Sequence, residues 1–267
     1  MSQSQAWQLK IFNKTLKKKE KLAIIRRLLP VLDGAYCLDL GCARGTISYF
    51  LKAEGGTWFH EDLDYINVRS THDLVGARTA VIPPSGLPHP DTTFDLIVSL
   101  DILEHLHEDA AFTREMARVM KPGGTLILST PATGAFYLVN RLKNAVGLTP
   151  DQYGHVVEGY TPDQLVTMLH SAGFRVEEST TYSRFFTEFV EFLINFVFVK
   201  LLRKHTAEKR DGHISPGSAE EVNTYRKQLK MYSAIYPFVW LLTRLDHVLK
   251  AAGIRGYATL LIARKPE

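Results

Sequence analysis

A short apolar run, Tyr36 to Leu40, stops at Gly41, and four residues later Gly45 opens a stretch with helical spacing. The run reads as a strand buried on both faces, the condition of a parallel sheet. A parallel strand must be followed by a crossover, usually a helix, before the next strand can pair with it. The chain repeats that alternation. Residues 46–53 read as helix, Thr57–Glu61 as strand, 65–76 as helix and Thr79–Ile82 as strand. After the turn-rich stretch Pro83–Asp91 come a strand at Phe94–Leu100 and a helix at Asp109–Met120. Pro122-Gly123-Gly124 stops that helix, and Thr125–Thr130 is the next strand. Thr161, Pro162 and Gln164 fit the N-cap, first and third positions of another helix, which Gly173 ends. Phe174–Tyr182 and Tyr257–Ala263 read as the last two strands. The prediction is an α/β fold, doubly wound, with a mostly parallel seven-stranded Rossmann-like sheet and a helical insertion before the last strand.

The organisation follows as a basic amphipathic helix in 1–33, a core in 34–182, an apolar helical insertion in 183–255 and the final strand in 256–267. With 267 residues, 45% hydrophobic and 22% charged, the chain has globular proportions and can bury a sizeable core. Cys37 and Cys42 read as a reduced pair, without partners at zinc spacing. No window reaches 18 uncharged apolar residues, and the N-terminus shows no secretory pattern, so the expected location is cytoplasmic. The net charge of +4 is uneven, because residues 1–29 hold eight cations against Glu20. A basic arm on a mildly acidic body suggests an anionic partner.

The glycine turn is joined by Asp62, 17 positions after Gly45 at the end of the second strand. A carboxylate there can accept the hydroxyl hydrogens of a ribose, so the pair places a nucleoside at the switch point of the sheet. Asp39-x-Gly41-x-x-x-Gly45 resembles motif I of class I S-adenosylmethionine (SAM)-dependent methyltransferases. Leu87-Pro88-x-Pro90-Asp91-x-x-Phe94-Asp95-Leu96-Ile97-Val98-Ser99, Asp101-Ile102-Leu103-Glu104-His105-Leu106 and Lys121-Pro122-Gly123-Gly124-Thr125-Leu126 extend the likeness. The ordered set is similar to the subgroup containing ubiquinone- and menaquinone-biosynthesis methyltransferases, over about 35–182 and the last strand. The resemblance implies that SAM is the cofactor and S-adenosylhomocysteine the product, with no metal required. It places the methionine end of SAM on Asp39, Gly41, Cys42, Ala43, Arg44 and Gly45, the ribose on Asp62, the adenine on Leu63 and the ammonium at the Ser99 and Leu100 backbone. Two positions depart from the pattern. Ala43 replaces a usual glycine, which suits alanine only at negative φ. Pro83 stands where an acidic side chain commonly meets the adenine amine, and proline offers no such acceptor.

Other chemistries on this fold lack their signatures. There is no Tyr-x-x-x-Lys for a short-chain oxidoreductase and no Gly-Lys-Ser/Thr of a P-loop. Ser99-Leu100-Asp101-Ile102 replaces the Asn/Asp-Pro-Pro-aromatic motif of nucleic-acid amino-methyltransferases, so nucleic acid is not expected as partner. His105 and His155 are the candidate bases, and Tyr153 and Tyr160 the candidate acceptor contacts. His60, His72, His89 and His107 read as ordinary surface or strand positions. The insertion's apolar stretches, Phe185–Leu202 and Tyr232–Leu249, favour a hydrophobic small-molecule acceptor, lipid-linked or isoprenoid. With the basic arm they suggest peripheral binding at the inner face of a membrane. A lid, a homodimer interface, a soluble-metabolite acceptor and a catalytically silent partner-binding protein are the alternatives.

Overall fold

The computed structural model describes residues 6–76, 78–134, 137–149, 154–197, 219–224 and 226–267. Seven strands form one sheet: β1 (Tyr36–Leu40), β2 (Thr57–Asp62), β3 (Thr79–Val81), β4 (Phe94–Leu100), β5 (Met120–Pro131), β6 (Arg175–Tyr182) and β7 (Ala258–Arg264). Their spatial order is β3-β2-β1-β4-β5-β7-β6, and only β7 runs antiparallel to its neighbours. The order reverses direction between β1 and β4, which opens a crevice at their C-terminal ends. The helices are α1 (Trp7–Phe12), α2 (Lys17–Leu28), α3 (Thr46–Ala53), α4 (Tyr65–Val75), α5 (Asp109–Val119), α6 (Leu138–Ala145), α7 (Pro162–Ser171), α8 (Phe185–Phe196), α9 (Ala219–Thr224), α10 (Arg226–Thr243) and α11 (Asp246–Ala251). A 3-10 turn spans Leu103–His105. Among the described residues no helix is long and apolar enough to cross a membrane.

The period-two alternation of the strands feeds two cores. Leu38, Leu40, Ile97, Leu126 and Leu261 face α5 and α7, where Phe112, Met116, Leu165 and Leu169 complete the packing. Cys37, Leu96, Val98, Ile127 and Leu260 face the other way, against Leu51 of α3 and Ile25 of α2. At α7 the sequence signal holds atom by atom: Gln164 N donates to Thr161 Oγ1, and Thr161 N donates to Gln164 Oε1.

The N-terminal segment differs from the single helix expected over 8–29. It breaks into α1 and α2, and α2 is a packed layer of the second core, with Leu22 and Ile25 buried. Three of its four lysines find partners inside the molecule. Lys17 pairs with Glu188 of α8 at 3.1 Å, Lys21 pairs with Asp101, and Lys19 donates to the Tyr236 hydroxyl at 3.1 Å. The basic segment is therefore a docked element in which Lys17, Lys21, Arg26 and Arg27, four of its eight cations, pair with acids elsewhere in the protein. The polar stripe of α8 is the matching half. Glu188 is almost fully buried, also pairs with Lys143 of α6, and accepts from Ser183 Oγ at 2.7 Å. The 198–202 end of the first apolar stretch lies outside the described residues.

Burial alone would raise the Glu188 carboxyl. Lys17, Lys143 and the hydrogen bonds outweigh it and hold the group near 2, from a usual value near 4.5. A depressed carboxyl stabilises the fold above its unfolded value, and that contribution is lost as pH falls from about 4.5 to 2. We expect roughly 1–3 kcal/mol at neutral pH from this group. Urea titrations from pH 7 to 3 should show that loss, and Glu188→Gln should flatten it. An equal acid loss in the variant would remove Glu188 from the account.

Candidate functional site

β1 ends in the glycine turn because its backbone has no room for a side chain there. A Cβ on Gly41, whose φ is +77°, would lie 2.3 Å from the Leu100 carbonyl oxygen. The Gly41 and Cys42 amides both donate to the Glu61 carbonyl, at 2.9 and 3.1 Å, which stitches the turn to β2. Gly45 at φ +78° packs against Thr71 of α4 and leads into α3, whose first turn has no side-chain cap. The turn thus leaves helix N-terminal amides facing the crevice. Cys42 and Arg44 are both buried in it.

Ala43 does not meet the condition set for it, since its φ is +48°. The left-handed conformation is held from both sides. The Ala43 amide donates to Asp62 Oδ2 at 2.8 Å, and Thr71 Oγ1 donates to the Ala43 carbonyl at 3.0 Å. Asp62 Oδ1 accepts from the Asp64 amide and Asn67 Nδ2, both at 3.0 Å. Three of about four lone-pair sites of this carboxylate are thereby used.

Asp39 is fully buried. Its Oδ2 meets Ser48 Oγ at 2.6 Å and His60 Nδ1 at 2.8 Å, while Oδ1 finds no partner among the described residues. His60 is therefore corrected from an ordinary strand position to the partner that orients Asp39. The parallel register of β1 and β2 pairs Asp39 with His60. His89 is likewise not a surface group, and its Nε2 meets Glu61 Oε1 at 2.7 Å. Ser99 is fully buried at the end of β4 with its hydroxyl unpartnered among the described residues. Leu63 packs half-buried on the first core, and Pro83 is exposed beyond β3.

Past β4 the chain assembles a second group. Asp101 stands at φ +50° and receives Lys21 of α2. Partial burial would raise its carboxyl, but Lys21 holds it below the usual range. Glu104 is fully buried with neither side-chain oxygen partnered among the described residues. Burial and the Asp101 charge push its carboxyl well above the usual range. His105 Nδ1 lies 2.8 Å from the Gly154 carbonyl, an acceptor only, so Nδ1 carries the proton and Nε2 keeps a lone pair. The Val156 and Val157 amides donate to the Glu104 carbonyl at 2.7 and 3.2 Å. That tie brings the His155 ring edge-on to His105, with centroids 4.8 Å apart. Burial, then the neighbouring His105, lowers His155 to about 4. Donor atoms of Glu104, His105 and His155 fall within 4.8 Å of one another, close enough to share a small cation.

Tyr160 is corrected from acceptor contact to core. It is 5% exposed, and its hydroxyl sits 2.7 Å from Asp109 Oδ2 and 3.1 Å from the Leu103 carbonyl. Tyr153 lies outside the described residues. Sequence reading missed Asp101, Glu104 and Lys21 as site-forming groups; the Asp101–His105 motif was visible, but its partner on α2 was not.

The chain matches the family model of a methyltransferase domain over residues 12–179. It belongs to that family. A Mycobacterium tuberculosis protein named as a probable SAM-dependent methyltransferase is 31% identical over 155 residues, covering 57% of this chain and 53% of that protein. A ubiquinone biosynthesis O-methyltransferase of Xanthomonas euvesicatoria is 30% identical over 158 residues, covering 55% and 65% respectively. The chain thus spans little more than half to two thirds of the length of these curated relatives. The solved structure of a Bacillus halodurans protein described as a methyltransferase superposes with TM-score 0.57 at 17% identity, over 93% of this chain and all of that one, a likeness of fold. The Mycobacterium tuberculosis relative is SAM-dependent by name.

An alanine in the left-handed region costs on the order of 1–2 kcal/mol relative to glycine. Ala43→Gly should therefore stabilise the methyltransferase by about 1 kcal/mol in urea unfolding. A destabilised variant would show that the two hydrogen bonds on Ala43 do not hold this conformation.

Proposed function

We propose that this methyltransferase transfers a methyl group from SAM to a hydrophobic small-molecule acceptor, met at an anionic membrane surface. The observation that carries the cofactor reading is the pair of buried, unpartnered acceptor atoms, Asp39 Oδ1 and Ser99 Oγ, flanking a glycine turn at the switch point. Leaving such atoms unpaired costs about 1–3 kcal/mol each, a cost a ligand ammonium removes. The residues present therefore fit the group. Asp39 and Ser99 would hold the amino-acid end, the α3 amides the carboxylate, and Asp62 a ribose hydroxyl through its remaining lone pair.

Bound SAM supplies an activated methyl on a sulfonium, and its transfer needs no Lewis acid. The remaining work falls to the chain: aligning the acceptor, excluding water and taking a proton. His105 fits the last task. Its tautomer is set by Gly154, which leaves the lone pair on Nε2. Glu104 keeps both side-chain oxygens unpartnered among the described residues, and the raised carboxyl favours its acid form, which donates a hydrogen bond to an acceptor oxygen. His155 is neutral at pH 7 but too weakly basic to compete, so it orients rather than deprotonates. The relatives named for O-methylation in ubiquinone biosynthesis support an oxygen acceptor.

Two outcomes are expected. Asp62→Ala removes ribose contact and the brace on Ala43, and should weaken SAM binding by ten-fold or more in calorimetry, on the scale of 1–3 kcal/mol per charged hydrogen bond. Unchanged affinity would refute the ribose assignment. With methyl-labelled SAM and fractionated cell extract, label should enter the lipid fraction, and His105→Ala should slow it by about 10²–10⁴ while SAM still binds. Label only in water-soluble products would overturn the hydrophobic acceptor, and none in any fraction would indicate a silent protein.

A further inference from the structure

α10 is an amphipathic helix mounted inside out. From Tyr232 onward, its tyrosine and threonine side chains face the protein. The Tyr232 hydroxyl donates to the Lys14 carbonyl at 3.1 Å, Tyr236 accepts from Lys19, and Thr243 is buried. Asp246, at the start of α11, is buried as well and accepts the Phe186 and Thr187 amides at 2.9 and 2.8 Å, so it caps α8 from some 60 residues away. The apolar side chains face out. Met231, Ile235, Phe238, Leu241, Leu245 and Val248 advance by three or four residues, a single helical stripe, and are 45–75% exposed. An ordinary surface helix has the opposite arrangement.

The rim of this stripe is cationic. Arg226, Lys227, Lys230, Arg244 and Lys250 are exposed, and among the described residues none pairs with a carboxylate. Arg244 instead lies over the Trp240 ring at 5.2 Å. The single acid of α10 and α11, Asp246, is turned inward. A second copy would press one cationic rim against another. An anionic lipid surface takes both features at once, with apolar side chains at acyl depth, cations at the headgroups and Trp240 at the boundary.

Behind α11 lies a cavity of about 690 Å³ lined by Tyr137, Phe185, Phe186, Leu249, Ile254 and Tyr257. Its inner end reaches Thr133 and Gly134, on the loop that follows β5 at the crevice side of the sheet. Val248 is exposed on the stripe and the next residue, Leu249, lines the cavity, so α11 borders both. We propose that the α10–α11 face seats on an anionic bilayer and that this cavity receives the apolar chain of the acceptor directly from it. The seating stands independently; the loading step rests on the hydrophobic-acceptor reading given above. The lipid contact assigned to the basic N-terminal helix thereby moves to α10.

Flotation of the full chain with vesicles of phosphatidylcholine and phosphatidylglycerol tests the seating. Binding should be strong at low salt, fall several-fold without vanishing at 0.5 M salt, and be weak on phosphatidylcholine alone. Phe238→Asp with Leu241→Asp should reduce binding at least ten-fold while leaving the circular dichroism spectrum unchanged. Lipids brominated on their acyl chains should quench fluorescence that Trp240→Phe removes. Wild-type protein that fails to float, a double variant that floats equally, or a dimer in size-exclusion chromatography dispersed by the double variant would each overturn the seating. Floating protein that labels only water-soluble products would leave the seating in place and overturn the loading step.

Discussion

At the C-terminal end of the sheet, Gly41 and the Leu100 carbonyl approach so closely that even a methyl group is excluded. Gly41 ends β1 and Leu100 ends β4, the two strands between which the order of the sheet reverses. Their contact narrows the crevice floor and forces the following chain to leave in opposite directions. One branch becomes the turn into α3, braced on Glu61 and Asp62. The other becomes Asp101 in its left-handed conformation and then the 3-10 turn with Glu104 and His105. The proposed cofactor side and the proposed proton-accepting side therefore leave from adjoining strand ends, and the loop at 154–157 completes the second of them.

Two strained residues sit on those branches, Ala43 and Asp101, each with positive φ. Such conformations persist where surrounding bonds over-determine them. Ala43 is gripped at its amide and its carbonyl, and Asp101 by Lys21 and by Ser129, whose hydroxyl donates at 3.2 Å. The strain lies at the site and the bonds that hold it come from β2 and α4 at Ala43 and from α2 and β5 at Asp101, so both helices and strands around the crevice pre-organise it.

The strands were legible because buried parallel strands are short apolar runs between turn signals, as at Phe94–Leu100, which matches residue for residue. The cap of α7 was legible because its chemistry is local. What could not be read was pairing at long range. Lys17 and Glu188 are 171 residues apart, and nothing in either neighbourhood says that a lysine-rich helix will close on the acid stripe of an apolar one. His60 was misjudged for a related reason: its importance comes from lateral register with Asp39, invisible along one strand. Tyr160 was misjudged in the other direction, since a tyrosine beside a candidate loop can spend its hydroxyl on the core. The β5 strand extends back to Met120 through Pro122-Gly123-Gly124, because Gly123 and Gly124 exchange bonds with Lys265, another partner far off in sequence.

The insertion leaves and rejoins the sheet at nearly the same point. β6 and β7 are antiparallel neighbours, and the Tyr257 amide donates to the Ser183 carbonyl at 2.8 Å across the mouth of the insertion. A tight turn would serve this junction equally well. Closing a loop of some seventy residues instead of four costs only roughly 2–3 kcal/mol of chain entropy, because the penalty grows with the logarithm of length. The sheet can thus host inserts of very different size at this seam while β1, β2 and β4 remain undisturbed. Under the proposed function, the part of the chain that would meet the acceptor and the part that would hold the cofactor are thus separable, and one can be enlarged without rebuilding the other.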